Sequence, residues 1–242
     1  MKILAIDSSG LVASIAIIEE DQLLGEYTIN YKKTHSQTLL PMLSELQTML
    51  ELDLSTIDAI AVAGGPGSFT GLRIGSATAK GLGLALDIPL IPIPTLEGMA
   101  YNLFGHKDLI CPLMDARREQ TYTALYRFWE EEFLVIQEQC AVGIEEIISK
   151  INTLGQPVVF LGDGVPVFAE FIRAHITVPF HFAPAHLNRQ RAAALAVRAF
   201  SYYKNDETQT AAEHAPNYLR QSQAEREREN ELQSNRRRSI HE

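Results

Sequence analysis

Two short turns hold the residue types that can bind or orient a phosphate. Asp7-Ser8-Ser9-Gly10 places an acid at the end of an alternating apolar segment, and its small residues let backbone N–H groups approach an anion. The same four residues also fit a hairpin turn in which Asp and Ser bond the local backbone. Gly64-Gly65-Pro66-Gly67-Ser68 precedes a helical stretch, whose first N–H groups lack partners and whose dipole favours negative charge. No Gly-Lys-Ser/Thr follows, so it is not a P-loop, and its glycine spacing is not that of a dinucleotide fingerprint. A tight strand-to-helix turn explains it equally well. Asp7, Ser8, Ser9, Gly65, Gly67 and Ser68 are the candidate nucleotide-site residues.

Other chemistries find no framework. There is no Gly-x-Ser-x-Gly for a hydrolase and no His-Glu-x-x-His for a zinc protease. The histidines at 35, 106, 175, 181, 186, 214 and 241 show no zinc-ligand spacing, and surface or structural roles are expected for them. Cys111 and Cys140 form neither a C-x-x-C nor a disulfide framework, which fits a reducing cytoplasm.

The elements that position the two turns follow from hydrophobic period. Residues 2–6, 12–18 and 23–29 read as a strand meander, with the acidic turn between the first two. A helix is expected over 36–52, a buried strand over 57–63, a helix over 69–86 and a strand over 89–93. The second half repeats this order loosely. A strand over 109–114 ends in Asp115, another follows at 121–128, and a strand over 158–161 meets Gly162-Asp163-Gly164 and a helix over 167–174. A last helix is expected over 189–204. The pattern predicts an α/β fold of two related lobes, at 1–104 and 105–220, followed by a charged tail at 221–242 read as disorder or a solvated helix.

Two helix faces point to a further buried surface. Gly71, Gly75, Ala79 and Gly83 recur every four residues beside Leu72, although each mid-helix glycine costs about 1 kcal/mol relative to alanine. Either an element of the same lobe or a helix of another subunit must approach that stripe. In the preceding helix Leu39, Leu43, Leu46 and Leu50 make a core stripe, widened by Met42 and Met49 on one flank and Leu40 on the other. Pro41 either kinks this helix or marks its first turn. The candidate partner or dimer interface is therefore Leu39, Met42, Leu46, Met49, Gly71, Leu72, Gly75, Ala79 and Gly83.

A formal net charge of -9 argues against holding nucleic acid alone, because phosphate binding rests on clustered Lys and Arg. No segment is read as a signal peptide or a membrane span, so a cytoplasmic protein is expected.

Ile3-Leu4-Ala5-Ile6-Asp7-Ser8-Ser9, Thr34-His35-Ser36, the block from Gly64 through Ser68 to Gly75, and Asp115-Ala116-Arg117-Arg118 together resemble the TsaB family, also called YeaZ. The resemblance spans about residues 1 to 220, with Gly-Pro-Gly-Ser-Phe-Thr-Gly-Leu-Arg as its most specific part. It implies an actin/hexokinase-type fold of two RNase H-like lobes. It also implies a role in forming N6-threonylcarbamoyladenosine beside the anticodon of tRNAs that read ANN codons. In that family the partner TsaD transfers threonylcarbamoyl from threonylcarbamoyl-adenylate, and TsaB scaffolds it with the small ATPase TsaE. TsaD holds its metal through a His-x-x-x-His pair, and the matching positions here carry Thr95 and Met99. What the resemblance implies is a non-catalytic subunit without cofactor or metal, whose nucleotide-site turns at Asp7, Ser8, Ser9, Gly65, Gly67 and Ser68 are vestigial, a homodimer in isolation, and tRNA contact only through the complex. Two enzymatic readings compete with it, an actin-fold ATPase or small-molecule kinase, and a metallopeptidase.

Overall fold

The first sheet is built around two strands that are apolar on both faces. The computed structural model describes residues 1–220, and the charged tail expected at 221–242 lies outside them. Strands β1 (Lys2–Asp7), β2 (Val12–Glu19) and β3 (Gln22–Asn30) form an antiparallel meander. After helix α1 (Leu39–Met49), β4 (Ala59–Gly65) pairs parallel to β1; helix α2 (Phe69–Leu86) then leads to β5 (Leu90–Pro94), parallel to β4. The order across the sheet is β3-β2-β1-β4-β5. Buried on both sides, β1 and β4 read as continuous apolar runs, whereas the edge strand β3 is largely exposed.

The second sheet repeats the first. Strands β6 (Leu109–Asp115), β7 (Gln120–Trp129) and β8 (Glu132–Gly143) form its meander. Helix α4 (Ile144–Leu154) leads to β9 (Val158–Leu161), and helix α5 (Val165–His175) leads to β10 (Phe180–Phe182); helix α3 (Thr95–Ala100) precedes the sheet and α6 (Ala192–Lys204) follows it. The order β8-β7-β6-β9-β10 matches the first sheet strand for strand. The expected α/β duplication is present, and α2 has the bounds read from sequence.

Helix α1 starts at Leu39, after a short 3-10 turn at His35–Gln37, so Pro41 stands in its first turn. There its missing N–H removes no helical bond. The sequence reading passed over β8 and α4. The latter buries Ile144, Ile147, Ile148 and Ile151, a helical spacing concealed by isoleucine's preference for strands.

The chain does not pack in two blocks divided at residue 104, which corrects the expected boundary. Helix α3 sends Leu96, Met99 and Ala100 into the core of the second sheet, with Ile110, Met114, Ala124 and Val159. Helix α6 returns to the first sheet, where Ala192, Leu195, Ala196 and Ala199 cover Ile3, Ala5, Ala16 and Ala61. The two helices meet between the sheets. Arg198 of α6 donates to Glu97 of α3 at 2.7 Å, and the Tyr202 hydroxyl donates to the same carboxylate at 3.2 Å. The guanidinium also lies over the rings of Tyr101, Phe133 and Tyr202 at 4.8 to 5.5 Å. One cation thus joins both exchanged helices to β8.

Arg198→Ala leaves the Glu97 carboxylate enclosed without its partner. A destabilisation of about 3–5 kcal/mol is expected, measured by urea unfolding.

Candidate functional site

Four turns meet where the parallel strands end. Asp7 closes β1 and Asp115 closes the equivalent strand β6; Gly65 closes β4 and Gly162 directly follows β9, both glycines at φ 111°. A side chain at either glycine would collide with a backbone carbonyl, that of Asn217 or of Leu113, so glycine is required by close approach as well as by conformation. Between the sheets lies a cavity of about 720 Å³. Its lining includes Ser9, Lys33, His35, Ser68, Asp115, Arg117, Asp163 and Arg220.

The expected nucleotide-site residues divide around this cavity. Ser9, Gly67 and Ser68 line it, whereas Asp7, Ser8 and Gly65 do not. Asp7 is buried, and its Oδ1 accepts from the Ser9 N–H at 2.9 Å and from the Ser9 hydroxyl at 2.7 Å. Burial pushes this carboxyl above the ordinary aspartate range, against the opposing pull of the two Ser9 bonds and of nearby His35. The Ser8 hydroxyl donates to the Gly71 carbonyl at 2.9 Å. The acid and first serine thus serve the turn itself.

Two donors of the glycine loop are likewise taken up by the protein. The Gly65 N–H donates to Thr95 Oγ1 at 3.2 Å, and the Ser68 N–H to the Ser9 carbonyl at 2.7 Å. Ser68 caps α2, its hydroxyl accepting the Gly71 N–H at 3.3 Å. Behind the loop the Asn217 N–H donates to the Gly64 carbonyl at 2.7 Å, while Gln139 of β8 donates to the Gly65 carbonyl at 3.2 Å. Tyr218 then stacks on Phe69 at 4.3 Å, Arg73 lies beside both rings, and Arg220 donates to the Ala116 carbonyl at 2.6 Å. Residues 217–220 therefore strap the loop to the second sheet. Thr95 and Met99 are both fully buried, Thr95 holding Gly65 and Met99 packing in the second core.

The small-residue stripe faces inward, which corrects the interface expected there. A Cβ on Gly71 or Gly75 would collide with Ser8, and one on Gly83 would press on Leu90. Leu39, Met42, Leu46, Leu72 and Ala79 are likewise buried within the first lobe, so of the nine expected interface residues only Met49 is exposed. A second stripe on α2, Ala77, Gly81 and Ala85, points to solvent; a side chain at Gly81 meets nothing. A four-residue period alone does not say which face is inward.

Sequence reasoning missed most of the second-sheet side of the cleft. Asp163 was read as part of an echoing glycine turn, yet it lines the cavity with one buried carboxylate oxygen unpartnered. Burial raises its pKa, opposed chiefly by Arg189. Arg117, Arg118 and Glu119 all adopt left-handed backbone conformations, at φ 61°, 56° and 62°, in the turn that carries Arg117 into the cavity. His35, noted within Thr34-His35-Ser36, reaches the Gly10 carbonyl with Nε2 at 2.9 Å.

A family model described as TsaD, tRNA N6-adenosine threonylcarbamoyltransferase, matches residues 22–228. The tRNA threonylcarbamoyladenosine biosynthesis protein TsaB of Bacillus subtilis is 33% identical over 227 residues, covering 93% of this chain and 96% of the relative. The Escherichia coli protein of the same name is 32% identical over 68% of this chain and 72% of its own length. Among solved structures, YeaZ from Pseudomonas aeruginosa superposes with a TM-score of 0.78 at 25% identity, covering 90% of this chain and 99% of that one. An inorganic polyphosphate/ATP-glucomannokinase from Arthrobacter, 12% identical over 85% of this chain and 99% of its own, has a TM-score of 0.50. The fold is thus of the actin/hexokinase type.

Two substitutions probe the closed turn. Gly71→Ala should cost about 3 kcal/mol, near the upper end for overpacking, because its methyl must displace the Ser8 carbonyl; thermal or urea unfolding measures this. Asp7→Asn retains an acceptor oxygen and removes a buried charge. A carboxyl with a raised native pKa contributes its full stability below the unfolded value of about 3.9 and loses it as pH rises through the native value. Asp7→Asn is therefore expected to raise the melting temperature at pH 7 by a few degrees and to flatten the loss of stability above pH 4.

Proposed function

The chain belongs to the TsaB family of tRNA threonylcarbamoyladenosine biosynthesis proteins, and on that premise we propose that it is the non-catalytic, partner-binding subunit of the modifying complex. Its catalytic partner is a TsaD-type transferase, with a TsaE-type ATPase joining through the complex. The product is N6-threonylcarbamoyladenosine in tRNAs that read ANN codons. The observation that carries this reading is the closed state of the phosphate turns. Asp7 is bonded to Ser9, and the Gly65 and Ser68 N–H groups already have acceptors within the protein. Buried Thr95 and Met99 in place of a metal-binding histidine pair support it further.

The partner surface is assigned to the outward faces of α1 and α2, which lie together on one side of the first sheet. Leu40, Met49 and Leu84 are exposed there, the last two by 73% and 71%. Ala77, Gly81 and Ala85 allow the backbone of a facing helix to approach closely. In the absence of TsaD the same face would pair with a second copy. With a net charge of -9, tRNA is reached only through the complex.

The cavity itself favours a second reading, an actin-fold ATPase or small-molecule kinase. Its lining combines Asp115 and Asp163 with Lys33, Arg117 and Arg220, a set suited to a phosphorylated ligand with a metal ion. Titration calorimetry with ATP and magnesium distinguishes the readings, since an enzyme must bind and turn over nucleotide without a partner.

Reconstitution tests the scaffold directly. This chain alone is expected to leave tRNA unmodified, whereas adding TsaD- and TsaE-type partners with threonylcarbamoyl-adenylate yields product; modification by the chain alone would sink the proposal. Gly81→Leu should stabilise the isolated chain by up to about 1 kcal/mol through helix propensity, yet abolish partner binding in sedimentation. Unchanged binding by Gly81→Leu and by Leu84→Glu would remove this face from the interface.

A further inference from the structure

At the end of the second sheet remote from the cleft, three potential ligands converge from distant parts of the chain. His106 and Asp108 flank exposed Lys107 in the segment that enters β6, and His181 is the middle residue of β10. One ligand atom from each lies within 4.8 Å of the others, and the two imidazole rings tilt at 45° with centroids 5.3 Å apart. His106 and Asp108 are half-buried, and His181 is exposed. Among the described residues no ion pair joins Asp108 to either ring.

We propose that His106, Asp108 and His181 form a binding site for a divalent transition-metal ion of the zinc type. Two imidazoles and one carboxylate are a borderline-soft set that suits zinc, nickel or cobalt rather than magnesium or calcium, and water completes the coordination. With bonds of about 2.1 Å, a tetrahedral ion holds neighbouring ligand atoms roughly 3.4 Å apart. The present spread closes through rotation of the exposed His181 side chain. His106 Nδ1 now accepts the Asp108 N–H at 3.2 Å, so the ring in its neutral form carries its proton on Nε2. The ion either takes the Nδ1 lone pair or binds Nε2 after that proton moves to Nδ1. Either exchange gives up one long hydrogen bond.

The position assigns the ion a structural role. Strand β10 has three residues and pairs with β9 alone among the described strands, so it is the weakly held edge of the sheet. An ion shared by His181 and the segment before β6 ties that edge to the inner strand across β9. The cleft residues lie at the opposite ends of these strands, and the site is independent of the scaffold role.

The test is titration calorimetry of the full-length, chelator-stripped protein with zinc chloride, paired with thermal melts. One ion per chain is expected, with a rise in melting temperature, since a ligand that binds only the folded state stabilises it. His106→Ala and His181→Ala should each weaken binding at least about tenfold and lose the thermal shift, while circular dichroism reports that they remain folded. Cys140→Ala should bind as the parent does. Cobalt gives a second readout, an intense visible band of a low-symmetry site that disappears in His181→Ala. Absence of zinc binding, or equal binding by the parent and both histidine variants, overturns the proposal.

Discussion

Helix α2 lies so close to the first turn that glycine is required at Gly71 and Gly75, where the turn's Ser8 fills the space a Cβ would occupy. The Ser8 hydroxyl holds the Gly71 carbonyl from inside this contact, and the adjoining Ser9 carbonyl takes the Ser68 N–H at the helix start. The first residues of α2 are thereby fixed to the end of β1. Position of the glycine loop, the cap at Ser68 and one wall of the cleft all follow. The same closeness turns the Gly65 and Ser68 N–H groups toward protein oxygens.

A second constraint joins the halves. Because α3 packs on the sheet that follows it and α6 on the sheet that precedes it, the two sheets cannot separate without exposing both helices' apolar faces. Glu97 and Arg198 lie at their crossing, with three aromatic rings around the guanidinium. Residues 217–220 add another tie, from Gly64 across Phe69 to Ala116. The relative placement of the lobes is thus set by long-range contacts.

This arrangement accounts for an ATPase-like cavity in a member of a family named for tRNA modification. Duplicated strand order brings two aspartate-ended strands and two strand-end glycines, Gly65 and Gly162, to one place, a property of the fold itself. Asp7 and Gly65 are not among the cavity's lining residues, whereas Asp163 on the other side lines it and retains an unpartnered oxygen.

The sequence by itself determined the α/β class, the duplication, the bounds of α2 and the family, because apolar period and the block from Gly64 to Gly75 are local signals read without knowing what lies opposite. It indicated that something must approach the Gly71 and Gly75 stripe closely, yet not what. Only tertiary structure decided that the partner is Ser8 of the same lobe, that Ala77, Gly81 and Ala85 are the outward stripe, and that α3 and α6 change places. Asp163, Gln139 and Asn217 became part of the cleft and its loop for the same reason. Each contact joins residues far apart in the chain, and the spacing within one helix or turn carries no record of which distant element will pack against it.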